Sequence, residues 1–291
     1  MADNITAVHH AGILTRDLDA LESVYRAMGF TLSPRSRHLL SARPGEPPQP
    51  GCTANLCALF GGSYIELLGI VDESAPDPWH TKAMADRYEG FRILNLDTDD
   101  AAATDDRLVA LGMRPSGVLD LERDVDTADG PRTVLARAVH LDPRTTPEGY
   151  IGLAQHLTRE YVHQPRYLTH RNGARGIAAV LIVAADDEYD GIARRYADLL
   201  GAEWTADGPL SVLEHKDVRL ELLRTADVAA VLPGEPVPAP SYLAAMTIRV
   251  ADLAEARGVV ERGGISTRDV RGGFFVSGRD AHGAGLFFTA G

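Results

Sequence analysis

The chain has little cysteine, few aromatic residues and no long apolar run, and each shortage excludes something. Its two cysteines, Cys52 and Cys57, cannot build a disulfide framework, and their CxxxxC spacing is a weak metal signal. They read as reduced, packed thiols of a cytoplasmic protein. Aromatic residues make up 6%, modest for a cage that holds ligands by stacking. No apolar run approaches the roughly 20 residues that a membrane helix needs. The opening MADNITAVHHAGIL lacks a basic start followed by a long apolar stretch, so it does not read as a signal peptide. Basic residues are outnumbered, 29 against 41 acidic ones, for a net charge of -12. That balance argues against a broad phosphate-binding surface, and so against nucleic acid as a partner. Walker-type, GxGxxG and GxSxG patterns are missing too, which leaves nucleotide loops and serine-hydrolase elbows without support.

What is there is repetition. ITAVHHAGIL, an apolar strand, leads into TRDLDALESVYRAMGF, whose Leu18, Leu21, Val24, Tyr25 and Met28 recur at helical spacing behind an aspartate start. Gly29 ends that helix, and ANLCALFGG and SYIELLGI follow as β-favouring stretches. The order, strand, helix and then strands, returns from FRILNLDTDDAAATDDRLVALGM, from GIAAVLIVAADDEYDGIARRYADLLGAEW and from YLAAMTIRVADLAEARGVVERGGI. One copy buries only one face of its sheet, so copies must pair. The expectation is an α+β fold of four βαβββ modules paired into two half-barrel domains, 1–160 and 176–291, with a connector over 161–175.

Four such units, with HHAGILTRDLDALESVYRAMGF opening the first and YIELLG closing it, resemble the vicinal-oxygen-chelate superfamily (glyoxalase/bleomycin resistance/dioxygenase). GCTANLCALFGGSYIELL and QHLTREYVHQPRYLTHRNGA are similar to its glyoxalase-like branch, and the likeness spans nearly the whole chain. The resemblance implies a divalent metal in the cavity, held by a histidine or glutamine of a first strand and a glutamate of a last strand.

The residues lead to the same place. His9 and His10, adjacent on a strand, point to opposite faces. His9 shares its face with Ala11 and Ile13 and suits the layer beneath the helix, whereas His10 shares the cavity face with Gly12. Glu66 stands between Ile65 and Leu67, on the cavity face with Tyr64 and Leu68, where a carboxylate is costly unless paired, protonated or metal-bound. An imidazole and a carboxylate suit Zn, Mn, Fe, Co or Ni; the structural alternative is a plain His–Glu hydrogen bond. The third ligand is expected from YIGLAQHL. Aligning Tyr150-Ile151 with Tyr64-Ile65 puts Gly152 in the glutamate's place and His156 roughly 13 Å beyond. The preferred alignment instead gives the position to Gln155 or His156, with His140 or water as the fallback.

Glu221 repeats the glutamate in copy three, but Ala178, Ala179 and Val180 stand where His10 would be, and Arg219 is placed to pair with it. His38, Asn55 and Tyr64 are the candidate substrate contacts. Arg35, Arg37, His38 and Arg43 punctuate a long excursion that reads as a basic lid or a solvated loop. His163 and His170 read as packing between the halves, and His282 as a turn residue. The expected function is a metal-dependent enzyme, with His10, Glu66 and His156 as ligands and Glu66 as proton carrier. Such an ion acts as a Lewis acid on a small oxygenated molecule, in isomerase, lyase or dioxygenase chemistry. The other reading is a metal-free protein that binds or sequesters a small molecule, such as an antibiotic, in a cage of Phe60, Tyr64, Trp79 and Trp204. Either serves as monomer or homodimer.

Overall fold

A computed structural model describes residues 4–291. The first half is built on strands β1 (Ile5–Thr15), β2 (Ser36–Leu40), β3 (Gln49–Leu59), β4 (Tyr64–Ile70), β5 (Gly90–Thr98), β6 (Leu119–Thr127), β7 (Gly130–His140) and β8 (Tyr150–His156). Helices α1 (Leu18–Ala27), α2 (Thr81–Arg87) and α3 (Ala101–Ala110) lie among them. In each module the last strand runs parallel beside the first, β4 along β1 and β8 along β5. Antiparallel pairing of β1 with β5 and of β2 with β6 then closes the strands into a barrel, in the order β1-β4-β3-β2-β6-β7-β8-β5.

α1 starts where expected. Asp17 caps it by accepting from the Ala20 amide at 2.9 Å, and Leu18, Leu21 and Tyr25 are its buried stripe. Gly29, just past its end at φ +90, is required twice over. The left-handed backbone favours glycine, and a Cβ there would come within 2.5 Å of Val259. On β1 and β4, Ala11, Ile13, Ile65 and Leu67 join the core outside the barrel, as their alternation predicts.

After the short α4 (Arg159–Val162), the second half adds β9 (Ala174–Ala184), α5 (Tyr189–Leu200), β10 (Trp204–Asp207), β11 (Leu210–His215), β12 (Val218–Arg224) and α6 (Val228–Val231). It ends with β13 (Tyr242–Val250), α7 (Leu253–Arg262), β14 (Arg268–Val270), β15 (Gly273–Val276) and β16 (Gly285–Ala290). The same module order gives an eight-stranded sheet, β10-β11-β12-β9-β13-β16-β15-β14, whose ends stay apart. The halves meet through the buried carboxylate of Glu148, which takes hydrogen bonds from Arg195 and from Tyr196 Oη, both on α5. Among the described residues no helix is long and apolar enough to cross a membrane.

The long excursion is partly barrel wall, while its residues 41–48 form a mostly exposed turn outside any strand. Its residues Ser36–Leu40 form β2, a wall of the barrel, and only His38 of its basic residues turns inward. Arg35 pairs with Asp19 and Glu22, Arg37 with Asp72 and Arg43 with Glu46, all on the outer surface.

Candidate functional site

Side chains from all eight strands of the closed barrel line one interior cavity of about 80 Å³, and Trp79, Thr81 and Met84 cover one end. His10, His38, Asn55, Tyr64, Glu66 and His156 all line it. Glu66 is its only carboxylate. Asn55 Nδ2 donates to Glu66 Oε1 at 2.6 Å, and His10 Nε2 and His38 Nε2 lie 3.6 and 3.9 Å from its two oxygens. Burial raises the Glu66 carboxyl above the usual carboxylate range, against the Asn55 hydrogen bond and the charge of Arg123. Burial also drives the His10, His38 and His140 imidazoles down to about 3, so all three are neutral near pH 7.

His9 corrects the alternation argument. Pairing of β1 with β5 slips between Val8 and His10, so His9 is an extra residue in a bulge and its ring turns into the cavity beside His10. The two Nδ1 atoms are 2.7 Å apart. Asn95 Nδ2 lies 3.0 Å from His10 Nε2. With that amide donating, His10 must donate from Nδ1 to His9 Nδ1. His9 is also edge-on to His156, with centroids 4.3 Å apart.

The second module also departs from the preferred alignment. β8 begins at Tyr150 as β4 begins at Tyr64, and each tyrosine stands level with a first-strand residue, Tyr64 with His10 and Tyr150 with Ile93. Gly152 therefore occupies the glutamate's place and Ile93 the histidine's. A Cβ on Gly152 would lie 2.5 Å from Asn95 Oδ1 and 3.0 Å from the His140 ring, so packing excludes a larger residue. His156 lies farther along, stacked on Tyr64 at 6.0 Å and 5.9 Å from His163, in a second imidazole group behind the tyrosine ring. His140 turns toward the capped end, 2.6 Å from Tyr150 Oη and edge-on to Trp79.

The expected set of His10, Glu66 and His156 is thus not assembled around one point. His10 Nε2 is engaged by Asn95 and Glu66 Oε1 by Asn55, and module two offers Ile93 and Gly152. Among the described residues no group of three or more His, Cys, Asp or Glu is arranged to hold a metal ion. His10, Glu66 and His156 as a set therefore do not fit a resident divalent metal.

Elsewhere, Arg219 Nε donates to Glu221 Oε1 at 3.0 Å, the expected ion pair. His170 is buried, and its Nε2 lies 2.9 Å from the carbonyl of Leu59. His163 Nδ1 is 2.7 Å from the carbonyl of Phe60. Phe60 is core and Trp204 lies on β10, so the aromatic lining is Tyr64, Trp79 and Tyr150. His282 is a turn residue at φ 51. Both cysteines are buried and free. Sequence reasoning missed His9, Asn95 and Arg123. A signal for Arg123 existed: in LDLERDV it takes the inward alternation of Leu119 and Leu121, a lone cation on an apolar face.

Paired βαβββ modules around a carboxylate-bearing cavity define a glyoxalase-like class of protein. The Glyoxalase-like domain family matches residues 8–200, and the chain belongs to it. No curated protein matches. A solved hypothetical protein from Staphylococcus aureus is similar over 97% of this chain and 99% of its own, at 14% identity and TM-score 0.62. A xylose isomerase-like TIM barrel/4-hydroxyphenylpyruvate dioxygenase fusion protein is similar over 90% of this chain but 39% of its own, at 14% identity and TM-score 0.57. A mutant 4-hydroxymandelate synthase from Streptomyces coelicolor is similar over 92% and 77%, at 11% identity and TM-score 0.56. These likenesses concern the fold.

Proposed function

We propose that this protein catalyses proton transfer on a small oxygenated molecule, in isomerase or lyase chemistry of the glyoxalase type, with Glu66 exchanging the proton. One observation carries the reading: a buried carboxyl, raised by its burial, faces a closed cavity between two neutral imidazoles. Such a group is tuned toward neutral pH, where acid–base catalysis is most effective. As carboxylate, Glu66 takes the proton of a C–H next to a carbonyl, and the released electron pair forms the enolate. Returning that proton to the neighbouring carbon isomerises the molecule. Giving it to a leaving group that departs with the pair is elimination. Asn55 fixes one carboxyl oxygen, leaving the other for the reacting atom.

The metal-dependent and dioxygenase readings stand behind this one, because His156 and the second module add no ligand to His10, His38 and Glu66, and these three are not arranged to hold a metal ion. Binding without chemistry is the second reading, favoured by the three aromatic rings on the cavity wall. The free thiols suit a reducing, cytoplasmic setting.

The test follows small ketones and 2-oxo acids in D₂O by NMR. Deuterium should enter the carbon beside the carbonyl faster with wild type than with buffer, and Glu66→Gln should slow this by about 10²–10⁴-fold. Binding with no exchange by wild type would leave only the second reading.

A further inference from the structure

We propose that the barrel cavity takes a small monocarboxylate, held through its carboxylate by Arg123. The inference deepens the proton-transfer reading of this cavity, on which it rests for the ligand's fate but not for how the ligand is held.

Arg123 projects from β6 into the cavity and is only 5% exposed. Among the described residues its side chain makes no hydrogen bond and no ion pair, although its charge acts on the Glu66 carboxyl. Of the other deeply buried arginines, Arg195 meets Glu148, and Arg92 lies over the Tyr88 ring at 3.7 Å although its Nε and Nη1 make no hydrogen bond. Arg123 has no carboxylate within 4 Å and no ring beneath it. A guanidinium removed from water without a partner is strongly unfavourable, so its place in a cavity wall points to a partner that arrives from outside. Its planar fork of N–H donors matches a carboxylate bidentately.

Three further observations narrow the ligand. Asn55 Oδ1 is buried on the same wall without a donor, and so offers an acceptor to a hydroxyl or enol O–H. Leu40, Leu68 and Ala136 provide room for a short alkyl group, and the other arginine of the lining, Arg137, is paired with Asp120 at 3.6 Å. The cavity of about 80 Å³ holds on the order of five to eight water-sized groups, hence a ligand of about that many non-hydrogen atoms. A second negative charge on the ligand would face Glu66. The class is a 2-oxo or 2-hydroxy monocarboxylate, and a phosphate is both bulkier and more highly charged.

Pyruvate and its neutral isostere pyruvamide make the test, with binding measured by calorimetry on the full chain. Wild type should bind pyruvate about tenfold or more tightly than pyruvamide, the worth of a charge-assisted pair. Arg123→Met should abolish that preference and Arg123→Lys keep part of it, and inorganic phosphate should not displace pyruvate. The thermal midpoint of Arg123→Met should stay level or rise, because an unpaired buried charge has gone. Equal binding of the two probes by wild type, a preference that survives Arg123→Met, or displacement by phosphate would each overturn the proposal. So would a clear fall in the midpoint, which marks a packing role. The same titration in Glu66→Gln separates the two readings. A carboxylate preference there, with no deuterium exchange by wild type, sinks proton transfer and leaves the Arg123 subsite standing.

Discussion

The same module occurs four times, yet one half surrounds a cavity bearing histidines, asparagines and a carboxylate, and the other a hydrophobic sheet face. The strand registers bring the equivalent positions together. His10 corresponds to Ile93, Ala179 and Ala245, and Glu66 to Gly152, Glu221 and Phe287. Only the first module keeps both polar groups. Closure differs in parallel. β2 and β6 meet and seal the first barrel, whereas β10 and β14, of 4 and 3 residues, are the unpaired ends of the second sheet. The second sheet instead packs Leu181, Val183, Leu223, Tyr242 and Phe275 into its own cluster. The difference teaches that repetition supplies the scaffold, while a few inward substitutions decide which pair of modules can do chemistry.

The glutamates of the two halves give the sharpest break of that comparison. Glu66→Gln should lower proton exchange by about 10²–10⁴-fold, while Glu221→Gln, in the same sequence setting, should leave it within about twofold. Equal losses in both would mean that the second half participates. Acid titration comes next. The His10, His38 and His140 pKa values of about 3 lie below the unfolded value of 6.5, so the unfolded chain binds more protons between those limits. Stability is therefore full above about pH 6.5 and falls as pH drops toward 3, by up to about 1.4 kcal/mol per pH unit for each such histidine. Glu66, with a raised pKa, works in the opposite sense above 4.5, but it is one group against several. Hydrogen exchange at falling pH should show barrel strands losing protection before β9 to β16. The reverse order would show that the cavity histidines do not govern acid stability.

Gly152→Ala is a smaller wedge into the same contrast. The added methyl meets Asn95 Oδ1 at 2.5 Å and His140 at 3.0 Å, and overpacking of this kind costs about 1–3 kcal/mol. A drop in the thermal midpoint together with a changed His10 environment in NMR is expected, because Asn95 also contacts His10. An unchanged midpoint would mean that the second module could have kept a larger residue there.

Module order, helix starts and the inward faces of β1 and β4 were legible because alternation and capping are local. Tyr64, Glu66 and Leu68 fall on the cavity side for that reason. What stayed hidden depended on partners across the sheet. The bulge at His9 is a mismatch between β1 and β5, invisible in either strand alone. The level of Gly152 beside Asn95 is set by β5, and the preferred alignment of β8 erred because it judged that strand by its own polar residues. The excursion containing His38 looked like a lid because nothing near it in sequence announces β6, the strand that it joins.

Arg219 tests the weakest contrast, that between an ion pair kept for structure and a carboxylate kept for chemistry. It bridges Glu221 at 3.0 Å and Glu214 from a side chain that is 35% exposed. At that exposure solvent screens the pair, and exposed ion pairs contribute only about 0–1 kcal/mol. Arg219→Met should therefore shift the thermal midpoint little, with Glu221 still reached by water at 17% side-chain exposure and catalysis intact. The carboxylate of Glu66 has no such escape, since 7% exposure leaves it dependent on Asn55. Asn55→Ala should raise the Glu66 pKa further, readable by carboxyl-selective ¹³C NMR, and lower the thermal midpoint, whereas Arg219→Met should leave the midpoint nearly unchanged. If Arg219→Met lowered the midpoint as far as Asn55→Ala does, the two glutamates would depend equally on their partners, and the division of labour between the halves would fail.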